Sequence, residues 1–366
     1  MNAKRVLWLL NHNTLREAEV PMLRAFGLEV FIPKSFPRTE ENMSAGVTYA
    51  YDASLTIPAD LLHRMNAFDF YRTYTWPADL AADLNAHFDV AICACFPALL
   101  DAACAAFAGP IFIRAFGREG LWTYRHLLAD CQPHVKDRLW RKDNIWFTAA
   151  YPNVSAIEPD WLQRCAVVLP IGLGAAHFAA EDQWHYTRPE ILFVCQRIKT
   201  AAYYREIYRE FKWYFGDLPH VIVGGQAAPV LDDPTVLNMV AETEYRELMR
   251  SCACLLYNPR SPRHVHYHPL EAFVVGLPVV FMAGGQLEAV AGPGPGCCAT
   301  LREARLKVQR LLAGDAELAA EICAAQRTVR AKFHPAHVTE VWRERFLPLI
   351  SIITAAMRLN FQERGL

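Results

Sequence analysis

Apolar residues in this chain come in short, nearly unbroken runs, and most runs are followed by a stretch with helical spacing. The runs at 6–11, 28–33, 89–95, 110–117, 144–150 and 166–170 predict six strands in the first half. Those at 191–198, 220–225, 254–257 and 278–282 predict four more in the second. Continuous apolar runs, as opposed to alternating ones, are the mark of strands buried on both faces of a parallel sheet. Between them, 11–27, 58–66, 79–88, 98–107, 118–128, 201–215, 245–252 and 269–275 read as helices. Thr14 and Glu17 have the spacing of a capping box, and Gly27 ends the first helix. From residue 302 to the end the pattern is helical, without a strand signal.

Strand and helix alternating in both halves predicts an α/β chain of two Rossmann-like domains facing a cleft. The first spans residues 1–175. The stretch 170–190 contains Gly and Pro and has mixed polarity, and within it 176–190 reads as the linker. The second domain spans 191–346, and 347–366 is a terminal helix. Neither GxGxxG nor GxxxxGK[ST] occurs, so the dinucleotide fingerprint and the Walker A loop are both absent.

At 366 residues and 53% hydrophobic content, two cores can form. A formal net charge of -1 gives no global pull toward nucleic acid. The eleven cysteines never make two CxxC pairs and mostly sit in apolar runs, which suits a reduced, cytoplasmic protein. No signal peptide is apparent, and no apolar stretch reaches the roughly 18 residues of a membrane span. Attachment to the inner membrane surface stays open.

The stretch 253–284 concentrates the chemistry. It reads as strand, His-rich loop, helix and strand, and ligands of such sheets bind beyond the carboxyl ends of strands. Arg263, His264, His266, His268 and Glu271 fall there. The three histidines alternate and in an extended segment face one side, a geometry that suggests a metal, but no Asp or Cys lies nearby in sequence. Arg197 and Lys199 follow the strand at 191–195, and Gly224 ends the next one. In the first half His12, Asn13 and Thr14 lie at the end of the first strand. Arg114, Arg118 and Glu119 lie around a strand end and a helix start, where backbone N–H groups favour anions. Buried ion pairing explains this last group as well.

The segment HPLEAFVVGLPVVF resembles the signature of nucleotide-sugar-dependent glycosyltransferases with two Rossmann-like domains, the GT-B fold. Glu271, Ala272, Gly276, Pro278, Val279 and Val280 match, in order, the retaining group related to glycogen synthase. The resemblance implies a GT-B architecture whose C-terminal helix crosses back to the first domain. It implies sugar transfer from a nucleotide-sugar, a co-substrate and not a bound cofactor, to a glycan or lipid-linked acceptor, as in surface polysaccharide or glycolipid assembly. It also implies retention and no catalytic metal. Arg197, Lys199, Gly224, Arg263, His268 and Glu271 become the donor-binding set, with Glu271 on the ribose. His12, Arg118 and Glu119 become the catalytic set, and Asn13, Thr14 and Arg114 the acceptor side.

One departure keeps other readings open. The resembled group has a second glutamate before the helix, and this chain has Arg263 near that place. His268-Pro269 resembles the His-Pro pair of transferases that use CMP-linked acidic sugars of the Kdo or sialic acid type. A nucleotide-sugar epimerase and a non-catalytic nucleotide- or glycan-binding protein are the remaining alternatives.

Overall fold

The computed structural model describes residues 5–119 and 122–363, with side chains at all of these but 41 and 351–363. Residues 364–366 of the terminal helix expected at 347–366, and the chain start at 1–4, lie outside the described residues. The chain forms two compact units. One holds the chain up to Gly117, Trp122–Gly172 and the chain from Pro335 onward; the other holds residues 118 and 119 with Leu173–His334.

The first unit begins β1 (Arg5–Leu9), α1 (Asn13–Ala25), β2 (Glu29–Phe31), then α2 (Ala59–Ala67), α3 (Ala78–His87), β3 (Val90–Ala94), α4 (Pro97–Ala106) and β4 (Ile111–Ala115). It continues through α5 (Tyr124–Leu128), α6 (Pro133–Arg141), β5 (Ile145–Ala149), α7 (Pro152–Ala156), α8 (Asp160–Gln163) and β6 (Ala166–Val168). The six strands are parallel, in the order β2-β1-β3-β4-β5-β6. Each apolar run pays its desolvation on both faces: Val6, Leu7, Ile92, Ile113 and Phe147 are fully buried.

Two local expectations are corrected. Helix α1 starts at Asn13 with His12 as its N-cap residue, so Thr14 lies inside the first turn and caps nothing. Helix α5 starts only at Tyr124. Arg118 and Glu119 therefore precede it by several residues and do not line its start. The N–H groups there are already met by the buried Glu158 carboxylate, which accepts from Tyr124 N at 2.7 Å and Arg125 N at 2.9 Å. That helix's anion is the chain's own.

The second unit runs α9 (Ala175–Phe178), β7 (Arg188–Val194), α10 (Ala202–Phe215), β8 (His220–Val223), α11 (Glu242–Ser251), β9 (Cys252–Tyr257), α12 (Tyr267–Val275) and β10 (Val279–Met282). It closes with α13 (Gln286–Ala291), β11 (Cys297–Cys298), α14 (Leu301–Leu312) and α15 (Ala316–Arg330). The glycine-containing segment after β10 thus holds a short helix and an edge strand. The sheet is parallel, ordered β11-β10-β9-β7-β8. Phe193 of β7 stacks on Phe211 of α10 with centroids 4.0 Å apart, which seats the aromatic helix on the sheet. Gly276 closes α12 with φ +86°, the left-handed geometry that lets the chain turn at once into Pro278 and β10.

A long last helix, α16 (Pro335–Glu363), returns to the first unit. Trp342 is fully buried and donates its indole N–H to Pro170 O at 2.9 Å, and Phe346 meets Phe112 edge-on at 5.0 Å. Among the described residues no helix is long and apolar enough to cross a membrane.

Candidate functional site

Both sheets put their first strand between their second and third. In each, the chain leaves the two neighbouring strands toward opposite sides, and a crevice opens at their carboxyl ends. In the second unit that point lies between β7 and β9. The loops leaving these strands carry Arg197 and the segment from Asn258 to His266.

Arg197 sits three residues past β7 with φ +50°, a left-handed conformation that costs a non-glycine residue free energy. Its backbone is tied into the neighbouring loop, where Arg197 N donates to Gly225 O at 2.9 Å. Gln226 clamps the same junction: its amide donates to Cys195 O at 2.7 Å and accepts from Ile198 N at 2.8 Å. Gly224, at φ +135°, lets the two turns approach; a Cβ there would lie 2.8 Å from Cys195 O.

The guanidinium of Arg197 lies over the Tyr204 ring, 5.1 Å from its centroid. Tyr204 opens α10 and is buried, yet its hydroxyl is a junction. It donates to Glu119 Oε1 at 2.5 Å, accepts from Gln196 Nε2 at 2.8 Å, and lies 3.1 Å from His266 Nε2. The other ring nitrogen of His266 lies 3.1 Å from the Tyr257 hydroxyl at the end of β9. His264 and His268 flank His266, with ring centroids 4.7 and 5.2 Å away. Burial, with like-signed neighbours His264, His268 and Arg197, pushes the His266 pKa well below the ordinary imidazole value. Burial likewise lowers His268, to about 4, against the pull of Glu271. Both rings are neutral at physiological pH.

Glu271 is not at a helix start; it lies in the middle of α12. Burial raises its pKa, but His177 at 3.5 Å, the Tyr245 hydroxyl at 2.8 Å and nearby His268 outweigh that and hold it below the usual carboxylate range. Neighbouring groups therefore run from Arg197 through Tyr204 and His266 to His268, which interacts electrostatically with Glu271.

The other expected residues are placed as follows. Lys199 is exposed, 3.5 Å from Asp232. Arg263 is half-buried in the histidine loop. The Arg118 carbonyl accepts from the Ser261 hydroxyl at 3.2 Å, which sets residues 118 and 119 against the same loop. In the first unit, Asn13 begins α1 and its backbone N–H donates to Ser44 O at 3.0 Å; His12 and Thr14 stand beside it, half-buried. Arg114 is 1% exposed and bound to Glu19 Oε1 at 2.6 Å and Leu169 O at 2.8 Å, the buried ion pairing that the sequence also allowed.

Sequence reasoning passed over Tyr204, Tyr257, Gln226, Tyr245 and His177. Tyr204 hides in an aromatic helix whose spacing reads as core, and most of its ring is core. Tyr257, as the last residue of an otherwise aliphatic strand, was the clearest available signal, because a phenol there has its hydroxyl at the strand's carboxyl end.

No family model matches the chain, and no curated protein does. Solved structures do. Anabaena HepE, determined with UDP and glucose, is similar over 93% of this chain and 98% of its own, with a TM-score of 0.59 at 12% identity. The sucrose-phosphate synthase of Thermosynechococcus elongatus covers 96% and 100%, with a TM-score of 0.58 at 14% identity. A Rickettsia africae glycosyltransferase covers 97% and 99%, with a TM-score of 0.59 at 12% identity. The likeness spans both units, so the chain has the GT-B fold, two Rossmann-like α/β units with a long C-terminal helix.

Proposed function

We propose that the chain is a glycosyltransferase that moves a sugar from a nucleotide-sugar to a glycan or lipid-linked acceptor, with the donor bound at the carboxyl ends of β7 and β9. The observation that carries this reading is the run of neighbouring groups from Arg197 to Glu271 at a topological switch point, a cation at one end and a carboxylate at the other. A nucleotide-sugar asks for that pairing. Its phosphate gains charge as the bond to the sugar breaks, and its ribose offers hydroxyls to an acceptor.

In this reading Arg197 and Lys199 meet the phosphates, and Arg263 adds positive charge beside them. Glu271 is held ionised and accepts from the ribose hydroxyls, while neutral His268 supplies an N–H. Gly224 leaves room for the donor against the backbone. Arg118 and Glu119 act at the reacting end, with His12 as the catalytic group of the first unit and Asn13 and Thr14 on the acceptor side. Transfer breaks the C1–O bond to phosphate and forms a C1–O bond to the acceptor hydroxyl. With retention, which the 268–280 match supports, the departing phosphate takes the acceptor proton. Inversion needs a base, and His12 or Glu119 fills that role. HepE binds UDP and glucose, which supports a uridine diphosphate sugar as the first donor to try and a cytoplasmic pool as its source.

The test is a thermal-shift panel of UDP-, GDP-, ADP- and CMP-sugars, followed by product analysis. A donor at about 100 times its Kd stabilises by roughly 2.7 kcal/mol, a shift of several degrees. A shift with one diphosphate sugar, abolished in Glu271→Gln, is the expected result. No response to any nucleotide-sugar overturns the proposal. Response to CMP-sugars alone moves it to acidic-sugar transfer, and an altered sugar still joined to nucleotide moves it to epimerisation.

A further inference from the structure

We propose that Glu119, His264 and His266 form a site for one divalent transition-metal ion of the zinc or cobalt class. The fold brings Glu119 to the alternating histidines from 145 positions before His264. The three side chains each offer one ligand atom, and these atoms lie within 4.8 Å of one another. A tetrahedral ion with bonds of about 2.0–2.1 Å needs donor separations of roughly 3.4 Å, so small side-chain rotations close the set. Two imidazoles and one carboxylate are a common donor set for first-row divalent metals, and they leave a coordination position for a ligand.

The surroundings fit a metal's second layer. The Tyr204 hydroxyl lies 2.5 Å from Glu119 Oε1 and 3.1 Å from His266 Nε2, within reach of a bound ion as a fourth ligand. On the far side of the ring, His266 Nδ1 faces the Tyr257 hydroxyl at 3.1 Å. An ion on Nε2 places the ring proton on Nδ1, where that oxygen accepts it and fixes the ring's orientation. Arg197, over the Tyr204 ring, works against a dication. Its charge makes the site weaker than a structural zinc centre and leaves the ion dependent on Glu119. The proposal concerns the chain without nucleotide and does not depend on sugar transfer.

The test uses purified full-length chain without a histidine tag, stripped with chelator and titrated with Co2+ under reducing conditions. The expected result is saturation at one equivalent, with ligand-field bands of nitrogen and oxygen donors and no sulfur-to-metal charge transfer from the eleven cysteines. Glu119→Gln and His264→Ala are each expected to weaken binding at least about tenfold while melting like the parent without metal. If His264→Ala melts early, Glu119→Gln carries the result, since it keeps the side chain's size. Absence of saturable uptake, a dominant thiolate band, or unchanged affinity in Glu119→Gln overturns the site. None of these outcomes bears on nucleotide-sugar binding, which the donor panel reads separately.

Discussion

Arg114 and Arg197 both stand near the carboxyl end of a parallel strand, one in each unit, and their surroundings differ. Arg114 is enclosed by its own chain. Its guanidinium binds Glu19 and the Leu169 carbonyl and lies 4.9 Å from the Trp342 ring centre and 5.0 Å from that of Phe116. Glu19 uses its other oxygen for the Trp8 indole N–H at 2.9 Å. Arg197 is half-buried on a left-handed backbone and rests on the face of Tyr204. A buried charge met by a carboxylate and a carbonyl of its own unit is architecture. A charge held over an aromatic face by a strained turn, at a switch point, is what the proposed donor site requires.

Breaking the sealed pair gives the largest effect. Arg114→Met leaves the Glu19 carboxylate buried without its cation and is expected to cost about 3–5 kcal/mol in urea denaturation. Adding Glu19→Gln keeps an acceptor for Trp8 and removes the stranded charge, so the double variant recovers most of the loss. If Arg114→Met instead leaves stability within about 1 kcal/mol and abolishes sugar transfer, the contrast is wrong and Arg114 belongs to the site.

A smaller effect comes from a sealed carboxylate in the second unit. Asp233 is buried near β8. It accepts from the Thr235 hydroxyl at 2.6 Å, the Thr235 N–H at 3.0 Å and the Tyr208 hydroxyl at 2.7 Å, with Lys212 Nζ at 2.9 Å. Burial pushes its pKa up, but these partners outweigh it and hold the group well below its ordinary 3.8. A carboxylate depressed in the folded state adds stability above its unfolded pKa, and loses it as pH falls toward the folded value. Asp233→Asn is therefore expected to cost about 2 kcal/mol at neutral pH. The gap from the parent should narrow below about pH 4. A gap that stays constant down to pH 2 would show that the lost interactions are not those of the charged form.

The sheets were legible in sequence because strands buried on both faces must be apolar throughout, as in 90–95 and 254–257. The 268–280 match was legible because Gly276 is needed for a left-handed turn into Pro278. What escaped was set by tertiary contact. The spacing of Thr14 and Glu17 copied a capping box, but the N-cap is His12, two residues earlier. The start of α5 looked open to anions until Glu158, 34 positions on, filled it. Arg114 lies near the end of β4, and its carboxylate partner Glu19 comes from 95 positions away. No local pattern announces such partners. The histidine loop is a like case, since Glu119 reaches it only through the fold.

The smallest stability change belongs to Arg197→Gly, and it separates the two arginines most cleanly. Glycine relieves a left-handed backbone that costs an ordinary residue about 1–2 kcal/mol. Against this stand the lost contacts of the guanidinium, of which that with the Tyr204 face is worth about 0.5–1 kcal/mol, and the extra freedom of glycine in the unfolded chain, about 0.5–1 kcal/mol. These terms nearly cancel, so the variant is expected to melt within about 1 kcal/mol of the parent. A charge-assisted bond to phosphate is worth about 1.5–3 kcal/mol, so donor affinity should fall roughly ten- to hundredfold. Calorimetric titration with the donor found in the panel, beside a melting curve, reads both quantities. Stability lost together with affinity would make Arg197 a second Arg114. Affinity lost alone means that the strain in its turn is kept for the ligand and not for the fold.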